Sequence, residues 1–417
     1  MSRAVQARVA HRLGIMDLEA LYRDLHSHPE LSFSEHRTSG IVADELTRLG
    51  VEVVTGIGGT GVAGVFRNGD GATVLLRADM DALPVLEDTG LDWASTQTGV
   101  DHTGATVPVM HACGHDIHIT CLLGAVESLV ADRDAWSGTL VAVFQPGEEH
   151  GGGAQVMIED GLYDKVPTPD IVLGQHVTPL PAGMLGAHSG AAMAAVDTME
   201  VTLHGRGGHG SRPETTIDPV VMAAATVMRL QTVVSREVAA QDTSVVTVGS
   251  LHAGTANNII AADATLGISV RSFNEEVRDR VLSSVERIIA AEATASGAVV
   301  APDVVYGERY PVTVNEPEAT ARVNAAFAAE FGEDRIFDPG ALSGSEDVGN
   351  LATAAGVPLV YWMLGGGDPQ KVAAAMAAGT AETDIPSNHS PHFAPLAQPT
   401  IGTGVRALVV AARSWLG

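Results

Sequence analysis

The sequence is poor in aromatic residues, lysine and cysteine. Phe, Trp and Tyr together make up 4% of its 417 residues, and the only lysines are Lys165 and Lys371. The two cysteines, Cys113 and Cys121, cannot build the multi-disulfide framework that stabilises small secreted domains. We therefore expect a reducing compartment and predict a cytoplasmic protein.

Segments that direct a protein to or through a membrane are also missing from the sequence. No run of about 18 apolar residues, the length that spans a bilayer, is present. Arg3, Arg8 and Arg12 are not followed by the apolar segment of a secretory signal peptide. We expect neither a membrane span nor a cleaved leader.

Positive charge is scarce. There are 24 basic and 50 acidic residues, which give a formal net charge of −26 at pH 7. Nucleic acids and anionic membranes are bound through basic patches, so neither is an expected partner. The hydrophobic content of 45% is that of a folded globular protein, and 417 residues favour two domains.

Chemically reactive side chains are concentrated in residues 110–118, Met-His-Ala-Cys-Gly-His-Asp-Ile-His. Any one histidine here has a structural alternative as an ordinary core or surface residue. Cys113 and His115 lie two positions apart with Gly114 between them, so a non-helical backbone can direct both at one point. Thiolate and imidazole together favour a metal site.

A second stretch, residues 144–149, ends in the adjacent pair Glu148 and Glu149. One carboxylate can bind a metal while its neighbour serves as a general base. The alternative is two solvated carboxylates on a loop, but the pair directly follows a strongly apolar strand predicted at 139–145. A functional pair is therefore favoured.

Three predicted strand ends each supply a ligand-type residue. Asp81 follows the strand at 73–77, Glu149 follows 139–145, and His176 follows 171–174. The carboxyl ends of parallel strands meet at one edge of a sheet, so we expect these side chains to converge. Near the C-terminus His389 is a further candidate, with His392 as its rival or as a surface histidine.

The order of predicted elements indicates a discontinuous domain, residues 1–190 and 306–417, interrupted by an inserted domain, residues 191–305. The first begins with helices at 17–29 and 35–49, the second helix with Ser34 as its predicted N-cap. The inserted domain reads as strand, helix, strand, strand, helix, strand (198–205, 218–234, 244–251, 264–272, 275–295 and 299–305). That βαββαβ order is the ferredoxin-like pattern.

The combined motifs resemble the co-catalytic metallopeptidase superfamily, and most closely its amidohydrolase branch of aminoacylases, hippurate hydrolases and hydrolases of indole-acetic-acid conjugates. The motifs that carry the resemblance span roughly residues 20–400 in the expected order. They are RADMDALP (77–84), HACGHD (111–116), FQPGEE (144–149), GQH (174–176), GRGGHGSRP (205–213), GTANNII (254–260), SED (345–347) and HSP (389–391). The resemblance implies an α/β fold whose catalytic domain has a mixed, zinc-peptidase-like sheet.

The resemblance also implies two divalent metal ions per subunit, with manganese favoured and zinc possible. Their implied ligands are Cys113, His115, Glu149, His176 and His389. Cys113 occupies the bridging position, where other branches carry an aspartate. Glu148 is implied as the general base that deprotonates an attacking metal-bound water and then protonates the leaving amine. Asp81 is implied to orient a metal-ligating histidine.

The inserted domain is implied to form a homodimer, with a tetramer as the alternative, and to contribute to substrate binding. His209 would polarise the scissile carbonyl, within its own subunit or across the dimer. Asn258 and Arg271 would bind the substrate carboxylate, although Arg271 also fits a strand-end surface cation. Gly366 would offer a backbone N–H to the same carboxylate.

These implications predict a hydrolase that cleaves the amide bond of N-acyl amino acids or related conjugates. A dipeptidase or carboxypeptidase using the same groups on a peptide bond is the close alternative. A relative that binds metal or ligand without catalysis is a more distant one. A structural zinc protein is disfavoured because closed zinc sites need more cysteines than this cluster has.

Overall fold

The computed structural model describes residues 16–150 and 152–417; Arg3, Arg8 and Arg12, considered above for a leader, lie outside the described residues. The helices of at least four residues are α1 Leu18–Ser27, α2 His36–Arg48, α3 His115–Ala131, α4 Gly153–Glu159, α5 Leu162–Lys165, α6 Pro219–Glu237, α7 Glu275–Ala295, α8 Pro317–Phe331, α9 Gly349–Ala355, α10 Pro369–Ala378, α11 Ala381–Asp384 and α12 Ala397–Arg413.

The strands are β1 Glu52–Ile57, β2 Gly61–Asn68, β3 Thr73–Asp79, β4 Thr98–Val100, β5 Thr106–Pro108, β6 Gly138–Gln145, β7 Ile171–Pro181, β8 Leu185–Gly186, β9 Gly190–Met193, β10 Ala195–His204, β11 Gly208–His209, β12 Ser244–Ala253, β13 Ile259–Ile260, β14 Asp263–Ser272, β15 Asp303–Tyr310, β16 Thr313–Asn315 and β17 Leu359–Gly367.

The chain divides into two units. Unit 1 comprises the described residues up to Ala192 together with Val314–Gly340 and Asp347–Gly417. Unit 2 comprises Met193–Thr313 and Ala341–Glu346. The predicted return to the first domain at residue 306 lies inside β15, which is a single strand of unit 2.

Unit 1 is built on a seven-stranded mixed sheet in the order β1-β2-β6-β3-β7-β17-β8. The four adjacent strands β6, β3, β7 and β17 are parallel to one another, and the outer pairings are antiparallel. Three of these strands, β3, β6 and β17, are buried along nearly their whole length, as expected where helices cover both faces of a sheet. The predicted α/β class with a mixed sheet is confirmed.

One detail of strand placement differs from the prediction. His176 lies inside β7, which continues to Pro181, instead of following the strand's end. The strand continues because β17 pairs with it in parallel, Met363 opposite His176. The length of a strand is therefore underestimated from its apolar run when its last residues pair with a neighbouring strand.

The start of α2 also differs from the prediction. The predicted N-cap Ser34 is wrong, because the helix begins one residue later with Glu35 at the N-cap position. The first N–H groups are instead bound by the carboxylate of Glu30, at 2.9 Å from the nitrogen of Arg37 and 2.8 Å from that of Thr38. A side chain seven and eight residues upstream of these donors thus satisfies N–H groups that the helix cannot pair internally.

Unit 2 has the βαββαβ order β10, α6, β12, β14, α7 and β15, with an antiparallel sheet ordered β12-β14-β10-β15. Along β14 buried and partly exposed residues alternate, so that Leu266, Ile268 and Val270 point to one face. This face packs with Met222, Leu230 and other residues of α6 and α7 in a separate core. Among the helices of the described residues, none is long and apolar enough to cross a membrane.

Candidate metal centre

The candidate centre lies in unit 1 beyond the carboxyl ends of β3 and β6, next to His176 of β7. These three strands are adjacent and parallel in the sheet, so their following residues meet at one edge. Asp79 ends β3, and Gln145 ends β6 three residues before Glu148. The turn before α3 brings Cys113 to the same place, and His115 is the first residue of that helix.

Side chains able to bind a metal form overlapping groups at this edge. In each group one potential ligand atom per residue lies within 4.8 Å of the others. Three such groups are Cys113, His115 and His176; Cys113, Glu149 and His389; and His115, Glu148 and Glu149. The structure thus brings together the five residues expected as ligands and the expected base.

The His115 ring lies among carboxylates at distances too long for hydrogen bonds. Its Nδ1 atom is 3.4 Å from Asp81 Oδ1, and its Nε2 atom is 3.5 Å from Asp79 Oδ2 and 3.7 Å from Glu149 Oε1. Burial alone would lower the pKa of His115, but Asp79, Asp81 and Glu149 raise it to about 10. The potential that stabilises a proton here also favours a metal cation.

Several buried polar atoms of the centre have no hydrogen-bond partner within residues 16–150 and 152–417. They are both ring nitrogens of His115, Oδ1 of Asp81 and Oε1 of Glu149. Leaving such atoms unpaired is unfavourable, and metal coordination is one way in which they are satisfied. The donor set of imidazole, carboxylate and thiol therefore fits a divalent metal ion.

The thiol of Cys113 needs a cation in order to ionise. Burial and the carboxylates of Glu149 and Glu148 raise the pKa of Cys113 well above its usual value. Since the thiolate is the form that binds metals, metal binding at Cys113 would release a proton.

His176 and His118 lie side by side but differ in whether a ring nitrogen is available to bind a metal. His176 donates from Nδ1 to the carbonyl of Val177 at 2.8 Å, which leaves Nε2 facing Cys113 Sγ at 3.4 Å. The Val177 N–H donates to Nε2 of His118 at 2.8 Å, so His118 donates its own proton from Nδ1 to Asp79 at 2.5 Å. Both nitrogens of His118 are engaged, and it supports the centre instead of joining the ligands.

Asn388 is a functional candidate that the sequence analysis missed. Its side-chain amide donates to the carbonyls of Cys113 and Val177, both at 3.1 Å.

The next residue, His389, has a φ of 69°, which is unusual for a residue with a side chain, and its N–H donates to the carbonyl of Ala112. This places His389 Nε2 at 3.4 Å from Glu149, whereas His392 contacts the carbonyl of Asp88.

A buried arginine beneath the centre was also missed. Arg77 is 1% exposed and donates to Asp79 at 2.7 Å, to Gln145 at 2.9 Å and to Asp347 at 3.1 Å. Asp347 in turn accepts from the N–H of Ala154 in α4. Arg77 belongs to the RADMDALP motif and Asp347 to the SED motif, but only the fold shows that these two residues pair.

Asp81 has two contacts beyond its approach to His115. Its Oδ2 atom accepts from the hydroxyl of Ser32 at 2.6 Å and from the N–H of Glu149 at 2.9 Å. Burial opposes ionisation, but the nearby His115 ring and the hydrogen bond from Ser32 lower the pKa of Asp81 below its usual value. Asp81 therefore acts on the Glu149 backbone as well as facing His115.

Three of the candidate residues lie in unit 2. His209 is exposed in β11, and its Nδ1 atom accepts from the N–H of Ser211, so the neutral ring carries its proton on Nε2. Asn258 is exposed just before β13. Arg271 donates from Nη1 to the carbonyl of Ser343 at 2.7 Å and to the hydroxyl of Ser345 at 3.0 Å.

Gly366 lies in β17 of unit 1, where a side chain has no room. A Cβ atom there would lie 2.6 Å from Val177 Cγ2 and 2.9 Å from Pro395 Cβ. The backbone at this point therefore packs closely against its neighbours, and the contact of Gly366 with a substrate carboxylate stays a prediction.

Comparison with known proteins gives consistent matches. The family model described as peptidase family M20/M25/M40 matches residues 75–387, which is 313 of the 417 residues. Thermostable carboxypeptidase 1 of Saccharolobus solfataricus is 38% identical, over 82% of this chain and 84% of its own. The hippurate hydrolase of Campylobacter jejuni is 39% identical, over 80% of this chain and 84% of its own.

A solved structure agrees with these sequence matches. It is the Bacillus subtilis YXEP protein, described as a dinuclear metal-binding peptidase of the M20 family. The two chains superpose with a TM-score of 0.74 at 27% identity, over 96% of this chain and 98% of that one.

Proposed function

Because the chain belongs to the peptidase family M20/M25/M40, we propose that it is a metal-dependent amidohydrolase acting on N-acyl amino acids or related amino-acid conjugates. The relative named hippurate hydrolase supports this reaction class. The observation that carries the proposal is the convergence of Cys113, His115, Glu149, His176 and His389 at one sheet edge, with Glu148 among them.

The proposed ligands would hold two divalent ions, with manganese favoured by the family resemblance and zinc as the alternative. Cys113 lies with His115 and His176 in one group and with Glu149 and His389 in another, so a shared ligand at this position would be in reach of both sets. When bound, the metal pair would polarise the scissile carbonyl and lower the pKa of the attacking water. A reducing compartment would keep the Cys113 thiol available, and we propose that the protein acts in the cytoplasm.

Glu148 is proposed to move the proton. Its side chain is 6% exposed and lies with His115 and Glu149 in one of the ligand-type groups. The carboxylate takes a proton from the attacking water and returns it to the amine nitrogen that leaves. Asp81 faces Nδ1 of His115 and fixes the ring so that Nε2 points into the centre.

Unit 2 is proposed to supply groups for the substrate. The Nε2–H of His209 is in the tautomer that can donate to the carbonyl oxygen as negative charge develops there. Asn258 and the N–H groups of Arg271 other than those on Nη1 are proposed to bind the substrate carboxylate. The backbone N–H of Gly366, in unit 1, is proposed to bind the same carboxylate. Arg271 would thus have two tasks, because its Nη1 already holds the 341–346 segment.

The test is amine release from a panel of N-acyl amino acids and dipeptides, using protein stripped of metal and reloaded with manganese or zinc. Glu148→Ala is expected to take up the same amount of metal but to lose turnover. Faster hydrolysis of acyl amino acids than of dipeptides would support the proposal. Full activity of Glu148→Ala would contradict the assigned base.

Carboxypeptidase activity is the second candidate, favoured by the 38% identity to thermostable carboxypeptidase 1. It uses the same side chains on a peptide bond. A preference for dipeptides or longer peptides in the same panel would establish it in place of the first proposal. Stoichiometric metal uptake without turnover on any substrate would instead indicate a binding protein.

A homodimer through unit 2 is also proposed. β12 forms one edge of the sheet, where Val245 and Leu251 are 48% and 42% exposed. Met228 on α6, the helix that packs on β12, is 71% exposed. An open strand edge beside apolar side chains is suited to pairing with a second copy.

Light scattering after gel filtration would test the dimer with two matched variants. Met228→Glu should shift the mass to that of a monomer, whereas Met376→Glu, at a site 67% exposed in unit 1, should not. A monomeric wild type, or a tetramer that neither change affects, would contradict this interface. If the dimer forms, His209→Ala and Glu148→Ala subunits can be mixed. The mixed dimer regains activity only if the His209 of one subunit acts in the active site of the other.

A further inference from the structure

The segment Leu31–Glu35, between α1 and α2 of unit 1, contacts the loop that carries Glu148. Glu35 is fully buried, and its Oε1 atom accepts from the N–H of Gly147 at 2.9 Å. The same oxygen accepts from the N–H of Phe33 at 2.9 Å, and Oε2 accepts from the hydroxyl of Thr60. This carboxylate therefore joins the segment to the residue that precedes Glu148.

A second contact lies on the other side of Glu148. Ser32 of the same segment donates to Asp81, whose Oδ2 atom also accepts the N–H of Glu149 at 2.9 Å. The N–H groups of the two residues that flank Glu148 are thus each bound by a buried carboxylate. Fixing the peptide groups on both sides restricts the directions in which the Glu148 side chain can leave the backbone.

Phe33 adds a steric restraint. Gly147 has a φ of 60°, and a Cβ atom there would lie 2.4 Å from Cζ of the Phe33 ring. Phe33 itself has a φ of 60°, which is uncommon for an aromatic residue. The hydrogen bond from its own N–H to Glu35 stabilises this conformation, so one carboxylate holds both sides of the contact.

Keeping a carboxylate in this position is unfavourable on its own. Burial and the nearby charge of Asp81 raise the pKa of Glu35 to about 7. Its partners are a hydroxyl and two backbone N–H groups. An apolar side chain could fill this position if packing were its only task. The carboxylate provides what an apolar side chain cannot, which is a hydrogen-bond acceptor for the Gly147 loop.

We propose that Glu35 is a positioning residue, which acts through the Gly147 N–H to hold Glu148 in its reactive orientation. The inference rests on the proposed function of Glu148. It predicts that loss of Glu35 reduces turnover while leaving metal uptake and substrate affinity nearly unchanged.

The test compares Glu35→Ala, Glu35→Gln and Glu30→Ala. Glu35→Ala should lower kcat by about 10- to 100-fold with KM changed less than about twofold, because a small displacement of a catalytic group is costly. Glu35→Gln keeps an oxygen acceptor and an N–H for Thr60, so kcat should recover to within about threefold of the wild type. Glu30→Ala removes the α2 cap from the same connection and should lower stability while changing kcat less than about threefold.

Hydrogen–deuterium exchange gives a readout that does not depend on activity. Peptides covering residues 144–150 should exchange faster in Glu35→Ala, but not in Glu35→Gln or Glu30→Ala. Unchanged exchange in Glu35→Ala, or faster exchange with unchanged kcat, would overturn the proposal. Equal loss of kcat in Glu30→Ala would also overturn it, since that result indicates general destabilisation. If the wild type hydrolyses no substrate, the proposed function fails, and exchange alone still decides whether Glu35 holds the loop.

Discussion

His26 is expected to stabilise unit 1 as a buried cation, and its contribution should decrease as the pH rises. Its Nδ1 atom lies 2.6 Å from Asp116 Oδ2, and its Nε2 atom lies 3.0 Å from Glu87 Oε1. All three side chains are inaccessible to solvent. A neutral imidazole has one N–H and cannot donate to two carboxylates, so this geometry requires the protonated ring.

The pKa gives the size and direction of the effect. Burial alone would lower the pKa of His26, but the hydrogen bonds with Asp116 and Glu87 raise it from 6.5 to about 10. Below pH 6.5 the folded and unfolded states both bind the proton, so the contribution to stability is complete. Between pH 6.5 and 10 only the folded state holds it, and the contribution falls by about 1.4 kcal/mol per pH unit.

The assay is urea unfolding followed by tryptophan fluorescence at one fixed metal loading. All four tryptophans, Trp93, Trp136, Trp362 and Trp415, belong to unit 1 and report on its unfolding.

His26→Gln should lower the free energy of unfolding by about 3–5 kcal/mol near pH 6.5, because it leaves two buried carboxylates without a cation. His28→Gln, a matched change at a side chain 44% exposed, should have little effect. The difference between wild type and His26→Gln should shrink by about 3 kcal/mol from pH 7 to pH 9. A difference that stays constant over this range would refute the assignment of a buried imidazolium.

Three further results are expected. Gly147→Ala should destabilise unit 1 by about 2–4 kcal/mol and reduce turnover, because its positive φ and the Phe33 ring leave no room for Cβ; unchanged urea unfolding and kcat would contradict this. Asp197→Ala should lower the stability of unit 2 by about 3 kcal/mol in calorimetry, because Arg278 loses an ion pair that it makes through two hydrogen bonds. An unchanged unfolding temperature of unit 2 would contradict this expectation. Removing metal with a chelator should lower the unfolding temperature of unit 1. Adding metal back at about 100 times its Kd should restore about 2.7 kcal/mol of unfolding free energy. An unfolding temperature that the chelator does not change would contradict a metal centre formed by the folded protein.

The parts of the fold and centre that were predictable depend on local signals. The apolar run of β6 followed by Glu148 and Glu149 identifies a buried strand with polar residues at its end, and the structure has both. The alternation along β14 and the length of α7 likewise indicate their elements directly. Such signals lie within a few residues of one another, and the physical preferences of the backbone are sufficient to interpret them.

The supporting residues give no such signal because their partners are distant in the chain. Glu35 binds Gly147 across 112 positions, and Asn388 binds the carbonyl of Cys113 across 275. Glu30 replaces Ser34 at the start of α2 for a different reason. It lies only seven and eight positions from the N–H groups that it binds, but the connection must fold back before its carboxylate can reach them. Within the HACGHD stretch and the residues after it, density alone does not separate His115 from His118. The tertiary contacts distinguish the two, because the N–H of Val177 and the carboxylate of Asp79 engage both nitrogens of His118.

The buried charges around the candidate centre fall into two classes. Arg77 offsets Asp79 and Asp347, and His26 offsets Asp116, so these charges are balanced by side chains of the protein itself. In the described part of the chain, Asp81 Oδ1 and Glu149 Oε1 lack a hydrogen-bond partner, and both face His115. The first class stabilises the fold through contacts that only the tertiary structure creates. The second class concentrates negative potential at one sheet edge, and that excess is the property that suits the edge to a divalent cation.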